Sequence, residues 1–583
     1  MKIGIKKGSA AVDPTATTNK AGGVAFNVTD PADKLLFTIG HMMNEPKFYP
    51  DSEESDKSAK TGLDSEALSI FETTKDILNG KRPKDALAIA AYARKELHMR
   101  TTPVAVLAAV AEDVGGGNKR RHAELVRAYA KHIIARPDEI VNVFAVWRHV
   151  FATGKDGRRT KMVPNALKRA LRDVLINTPE HSLVKWDKPG RPNMADVIRL
   201  CAPELLADPK YLYFVDRDKW LKTKGVAKKT PVMWARHKLF LKTEFDDETM
   251  ALIRESKATW EDVLSKFGST ADKKNLWDWC IPQMGYMALI RNIRNMVEAN
   301  VDLTPVLAKL SDRDAALGSK QLPFRFLSTA RIFDSEMNTY ARAGAAVEKI
   351  EAGKWNDKIR DALDTALGHV LSDIPKIKGH TAIFVDNSGS MSTAISSKSA
   401  ITMADAANML AAATSVACEE SSAYAFTDKP YKVNVRKSDS VLTNMARMAK
   451  AGGDGGSTNA HLCPPELSKN GIKVDRIILI SDMQCYDDGG LGSMYGISSS
   501  FAKAVENYRK WCGKTVRVYS VNMAGTEESQ TKPSDKDSYL LSGFSEKLLK
   551  HISSIENASD AYDESGENAK AVSMDYVREK YYF

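Results

Sequence analysis

Thr381-Ala382-Ile383-Phe384-Val385-Asp386-Asn387-Ser388-Gly389-Ser390-Met391-Ser392 decides how the last third of this 583-residue chain folds. Its first five residues are apolar or β-branched without a polar alternation, as in a strand buried on both faces. The run then breaks into D-x-S-x-S. Similar runs recur at Ser422–Phe426, Arg476–Ile480 and Val516–Val521, with helical stretches at Thr402–Cys418 and Phe501–Trp511 between them. Strands alternating with helices predict a parallel, doubly wound α/β sheet. In such sheets ligands bind where loops leave the C-terminal strand ends, and there Asp386, Ser388 and Ser390 stand.

One carboxylate and two hydroxyls on a tight loop are hard oxygen donors, suited to Mg²⁺ or another small divalent cation. Gly455-Gly456-Ser457-Thr458 offers Thr458, with Ser457 as the alternative, and Ile480-Ser481-Asp482 puts Asp482 at another strand end. These three segments resemble the von Willebrand factor A domain and its metal-ion-dependent adhesion site. The resemblance implies a metal set of Asp386, Ser388, Ser390, Thr458 and Asp482. Catalytic readings find little support. Ser388 lacks the G-x-S-x-G elbow of α/β-hydrolases, neither glycine-rich loop ends in Gly-Lys-Ser/Thr, and no general acid or base accompanies Asp386.

Upstream, from about residue 65 to 370, the pattern is helix after helix. Leu87, Ala90, Ala93 and Leu97 recur at helical spacing, Arg100-Thr101-Thr102-Pro103 interrupts, and Val104–Val110 resumes. Leu125, Val126, Tyr129 and Ile133 mark another helix, and Asp138 is placed to cap Glu139–Val150. Consecutive helical hairpins without a strict period predict irregular repeats of the HEAT kind. The polar, small N-terminus reads as a flexible arm over residues 1–24, followed by a helical ring over 25–370 and an α/β domain over 376–583.

Charge divides along the same line. Residues 1–375 hold 60 Lys and Arg against 49 Asp and Glu, whereas residues 376–583 hold 24 against 25. The positive surplus therefore belongs wholly to the helical part and suggests a polyanion partner there. Three clusters stand out: Lys119, Arg120 and Arg121 after a glycine loop; Arg158, Arg159 and Lys161 on a second loop; and Lys168, Arg169 and Arg172 on one face of a helix. The six cysteines are scattered with no C-x-x-C pair, which excludes a disulfide framework and a zinc site as readings and suits the cytoplasm. No apolar run is long enough to cross a membrane.

Several segments extend the likeness to almost the whole chain. Ile281–Met296 (IPQMGYMALIRNIRNM) resembles the M-P-L-x-A-L-L-R-N-L helix of the Ro autoantigen family, which joins a TROVE module to an A domain. Leu322-Pro323-Phe324-Arg325, Ala166–Leu171, Asp196–Leu200, Ala425–Asp428 and Ser542-Gly543-Phe544 resemble further family segments, in the family's order. The resemblance, to a bacterial- or phage-type relative, implies a toroid of HEAT-like repeats closed by the A domain. It also implies a Y RNA-like, small structured non-coding RNA as partner, capture of 3′ ends of misfolded RNAs, and an exoribonuclease as a protein partner. Arg199, on the helix resembling D-L-L-R-L, joins the RNA-binding candidates. Departures are Met194 and Leu322, each where the family has a His, Asn459 where relatives have Asp, and Tyr211–Lys229, which looks inserted. The expected function is RNA binding in quality control or maturation, without catalysis. The alternatives are a metal-dependent protein-interaction scaffold and a metal-dependent hydrolase acting on RNA.

Overall fold

In this computed structural model the chain is described except for residues 1–15, 19–23, 28–29, most of 40–64, 97–98, 114–118, 153–160, 188–191, 320, 322, 334–354, 373–375, 396–400, 453–455, 486–499, 525–527, 533–534 and most of 543–573. Nine strands are assigned among the described residues: β1 (Ala16–Thr18), β2 (Val24–Asn27), β3 (Ile377–Asp386), β4 (Cys418–Phe426), β5 (Pro430–Val433), β6 (Arg476–Ser481), β7 (Arg517–Asn522), β8 (Glu528–Ser529) and β9 (Ser538–Ser542).

The decisive run is a strand as expected. β3 is the third strand of a six-stranded sheet ordered β5-β4-β3-β6-β7-β9, parallel throughout except for the edge strand β5. Residues 381–386 are buried, because helices cover both faces of a parallel sheet. The helix Met403–Ala417 begins with a capping box in which Thr402 and Asp405 satisfy each other's backbone N–H groups. The helix Phe501–Cys512 ends on Gly513, whose φ of 73° is the left-handed cap that glycine adopts without strain.

Described residues between 65 and 372 form helices and no strand. Helices close in sequence pack on one another in series: Pro83–Lys95 on Thr102–Glu112 and on Lys119–Ile133, the latter on Asn165–Asn177, and that in turn on Met194–Cys201. The expected cap at Asp138 is shifted. The helix starts at Pro137, Arg136 is the N-cap, and Glu139 reaches back to the backbone N–H groups of Ala135 and Arg136. A proline at the first helical position explains the earlier start, since it has no N–H to lose there.

Two expectations about the ends need correction. Ala16–Thr18, assigned to a flexible arm, pairs antiparallel with β2, and β2 pairs with β8 of the α/β part. The last helix, Met574–Tyr581, belongs to the other end of the chain. It packs on Pro83–Lys95, and Met574, Val577 and Tyr581 are buried in the hydrophobic core that runs from Ala32 to Tyr211. A second core runs from Leu239 to Ile552, spanning the later helices and one face of the sheet. The last helix of the chain therefore packs on its first helices, across the whole length of the sequence.

Candidate metal centre and nucleic-acid interface

Sheet register brings two members of the expected metal set, Asp386 and Asp482, to the same end of the sheet. Val385 lies opposite Ile480 and Asp386 opposite Phe426, so Asp386, Asp482 and Thr427 follow the C-terminal ends of three neighbouring strands. Asp386 is fully buried. Its Oδ1 accepts the Ser388 N–H at 2.8 Å and its Oδ2 the Ser481 hydroxyl at 2.6 Å. Burial, and then the Asp482 carboxylate, push the Asp386 acid up to about 7. The Ser388 and Ser390 hydroxyls are 3.2 Å apart. Asp482 and Ser388 are buried, whereas Ser390 is exposed. In the glycine-rich loop Thr458 is buried and Ser457 half-buried, and the next residue, Asn459, donates its N–H to the Thr427 carbonyl at 2.9 Å.

Asn387 holds this loop from behind. Its Nδ2 donates to the carbonyls of Met448 and Ala451, and its Oδ1 accepts from Asn408, so the turn after β3 is fixed on three sides. Sequence reading missed that role. The signal was an amide inside D-x-S-x-S flanked by apolar residues.

The residues fit a small divalent cation. All five donors are oxygen, and the Asp386 carboxylate is hydrogen-bonded to neutral groups, so its buried charge is one that a cation would offset. Among the described residues no three or more His, Cys, Asp or Glu gather as a metal site. The two carboxylates therefore depend on the hydroxyls to complete a shell. Cys463 and Cys485 lie close by but are buried thiols, and burial holds both well above their ordinary range, which suits packing better than ligation.

The basic candidates fare unevenly. Lys119, Arg120 and Arg121 open the helix Lys119–Ile133 instead of standing on a loop; their side chains lie outside the described residues. Arg158 and Arg159 lie outside them altogether. Lys161 is exposed but ion-paired with Glu112 at 2.5 Å. On the helix Asn165–Asn177, Arg169 is exposed and Lys168 half-buried, while Arg172 pairs with Glu204 at 2.6 Å. Arg199 is exposed and donates to the Val215 carbonyl at 2.8 Å, tying its helix to the next. Lys168, Arg169, Arg172 and Arg199 thus share two packed helices, with Arg172 already neutralised. Met194 is buried in the core, so this chain has no ring nitrogen and no exposed side chain at that position. Among the described residues no helix is long and apolar enough to cross a membrane.

With this geometry in hand, comparison with known proteins is specific. A family model of the TROVE domain matches residues 248–366, and one of the Ro60 vWA domain matches residues 380–555. Curated proteins yield no match. Among solved structures, the crystal structure of Deinococcus radiodurans RO (RSR) protein is similar, with a TM-score of 0.56 at 16% sequence identity over 88% of this chain and 97% of that one. At that identity the likeness is one of fold: a helical-repeat toroid joined to a vWA-type α/β domain.

Proposed function

The chain belongs to the Ro family, carrying a TROVE domain followed by a Ro60-type vWA domain, and on that premise we propose that it binds RNA through its helical part. The substrate class is small structured non-coding RNA of the Y type, together with single-stranded 3′ ends of defective RNAs taken into the ring. The observation that carries this reading is the confinement of the whole positive surplus to residues 1–375. Lysine and arginine neutralise phosphates and release counterions, giving affinity that depends on salt more than on sequence. RNA duplexes are read mainly by shape and backbone, which basic helix faces suit.

The vWA part is near-neutral and has no general attraction for RNA. Its role in this reading is protein contact: Asp386, Ser388, Ser390, Thr458 and Asp482 hold a divalent cation, which supplies an electrophilic position for a carboxylate of a protein partner such as an exoribonuclease. No catalytic group is assigned. The scaffold alternative keeps this metal contact and drops the RNA; the hydrolase alternative requires RNA turnover.

The test is a gel shift of the purified protein with a stem-containing RNA at 50 and 200 mM salt. For six or more phosphate contacts, affinity falls by about 10³ or more across that range. Absence of binding, or a flat salt response, leaves the scaffold reading. Shortening of the RNA by nuclease-free protein supports the hydrolase.

A further inference from the structure

The segment Asp208–Lys242 holds ten Lys and Arg against three Asp, a surplus of seven in a chain whose total is +10. It precedes the matched part of the TROVE domain. In sequence its Tyr211–Lys229 part looks like an inserted stretch; in the structure the segment is a small built body. Four short helices, Pro209–Val215, Arg217–Leu221, Val226–Lys229 and Pro231–Leu241, close with Val184 over a small core in which Trp220 and Met233 are fully buried. Trp220 meets Tyr213 edge-on at 5.0 Å and lies 5.9 Å from Trp234, and its indole N–H donates to the Thr230 hydroxyl at 3.2 Å. The Arg217 guanidinium covers Tyr213 at 3.4 Å.

Two of the three acids of this body are spent internally, and the third, Asp218, is exposed. Asp208 and Asp216 cap helices, accepting the N–H groups of Lys210 and Lys219. Arg236 pairs with Asp262 and Lys242 with Glu248, both acids lying outside the segment. Lys219, Lys222, Lys224, Lys228, Lys229 and Lys238 are exposed, and among the described residues none has an ion-pair partner. Six exposed like charges within twenty residues of chain repel one another and oppose the fold. An anionic ligand turns that cost into affinity. Leu221, Phe240 and Leu241 are exposed on the same segment, Phe240 and Leu241 to 77% and 67%. The Phe240 ring stands in water with the Lys266 ammonium 5.5 Å from its centre, a pairing that a single-stranded nucleic acid uses, with phosphates on the cations and a base on the ring.

We propose that this lysine-rich knob is an RNA docking surface separate from the helix face of Lys168 and Arg169, and that it engages single-stranded RNA. The proposal rests on the RNA-binding reading given above. Six ammonium groups held on a rigid core act as point charges toward phosphates. Because Trp220 and its neighbours make the core, the lysines can be changed without unfolding it.

The experiment uses full-length protein in which Lys222, Lys224, Lys228 and Lys229 are all changed to Gln, with Phe240→Ala as a second variant. Binding is measured by fluorescence anisotropy with an unstructured 20-nucleotide RNA and a hairpin, from 50 to 200 mM salt. Tryptophan emission and circular dichroism check the fold. The quadruple variant is expected to bind the single strand about tenfold more weakly at 100 mM salt, with a log–log salt slope smaller by about 2 to 3. Phe240→Ala is expected to weaken the single strand at least about fivefold and the hairpin less. If wild-type protein binds no RNA, the proposed function itself fails. If it binds RNA and the folded quadruple variant matches it in affinity and slope, the knob alone is refuted. Equal competition by polyglutamate of matched charge also refutes it, since the surface would then be a site for acidic protein.

Discussion

Asp386 shows how one buried side chain combines fold and chemistry. It ends β3, accepts two hydrogen bonds from neutral donors and stands beside a second carboxylate. Asp386→Ala is expected to abolish Mg²⁺ or Mn²⁺ binding by calorimetry while RNA binding stays within about twofold of wild type, because Asp482 with neutral hydroxyls is then a weak set for a divalent cation. Thr458→Ala is expected to weaken the metal and Ser457→Ala to leave it nearly unchanged, since of the two only Thr458 is buried. Retained metal binding in a folded Asp386→Ala variant would refute the assigned set. The placing of Asp386 and Asp482 at neighbouring strand ends was legible because both belong to short motifs that close an apolar run. Asn387 was not, because its partners Met448, Ala451 and Asn408 are distant in sequence and meet only on folding.

Among elements, the helix Asn165–Asn177 was readable from its i, i+1, i+4 basic spacing, but spacing could not show that Arg172 faces Glu204. Replacing Lys168 and Arg169 together by Ala is expected to weaken hairpin RNA several-fold and flatten its salt response. Adding Arg172→Ala should change little more, because Glu204 already neutralises that charge, and the exposed pair is worth at most about 1 kcal/mol to stability. Gel shifts of the double and triple variants decide this, and a large extra loss on adding Arg172→Ala counts against it. Helix and central-strand boundaries were close to expectation, since periodicity is local. The short edge strands β5 and β9 went unread, as did β1 and β2, whose pairing depends on partners rather than on their own composition. The body around Trp220 was unreadable for a related reason: its aromatic residues make sense only once four short helices have closed on them.

For the whole molecule, the consequential contact is the one no local pattern announces, the docking of Met574–Tyr581 on the first helices. Asp85 is buried there between Arg578 at 2.8 Å and Arg82 at 3.7 Å, with the Tyr582 hydroxyl donating to it. Burial alone would raise the Asp85 acid, but the hydrogen bonds from Arg578 and Tyr582 and the charges of Arg578 and Arg82 outweigh it and hold the acid below the usual carboxylate range. A depressed acid stabilises the fold above its unfolded value of about 4, and that contribution is lost as pH falls through the folded value. The closure is therefore expected to loosen below about pH 4. Glu96 adds two partners, Lys580 at 2.5 Å and the Tyr581 hydroxyl at 2.7 Å, and His132 stacks on Phe583 at 3.8 Å. Asp85→Ala is expected to cost about 2–3 kcal/mol, less than a fully buried pair because Arg578 is partly exposed. Thermal unfolding measures this, and a loss under about 0.5 kcal/mol would show that the ion pair contributes little.

Removing residues 574–583 tests the closure more severely, because it also uncovers the apolar floor. Met574, Val577 and Tyr581 are buried against a core shared with Tyr92 and Tyr129, and the Tyr129 hydroxyl donates to the Tyr581 carbonyl at 2.7 Å. Each such side chain is worth about 1.5–3 kcal/mol when buried. The shortened protein should therefore melt several degrees lower, bind more hydrophobic dye and show a larger radius of gyration by X-ray scattering, as the first helices lose their hold on the rest. A synthetic peptide of residues 574–583 should restore the melting temperature in a concentration-dependent way, because a ligand that binds only the folded state stabilises it by mass action. The same peptide carrying Val577→Asp and Arg578→Ala should not. A shortened protein with unchanged melting temperature and dimensions would mean that the seams at β2–β8 and at Pro31–Ile39 on β9 hold the ring without this helix. In that event the last helix would be an ornament on the fold, and the pairing of Asp85 with Arg578 would have no part in closing it.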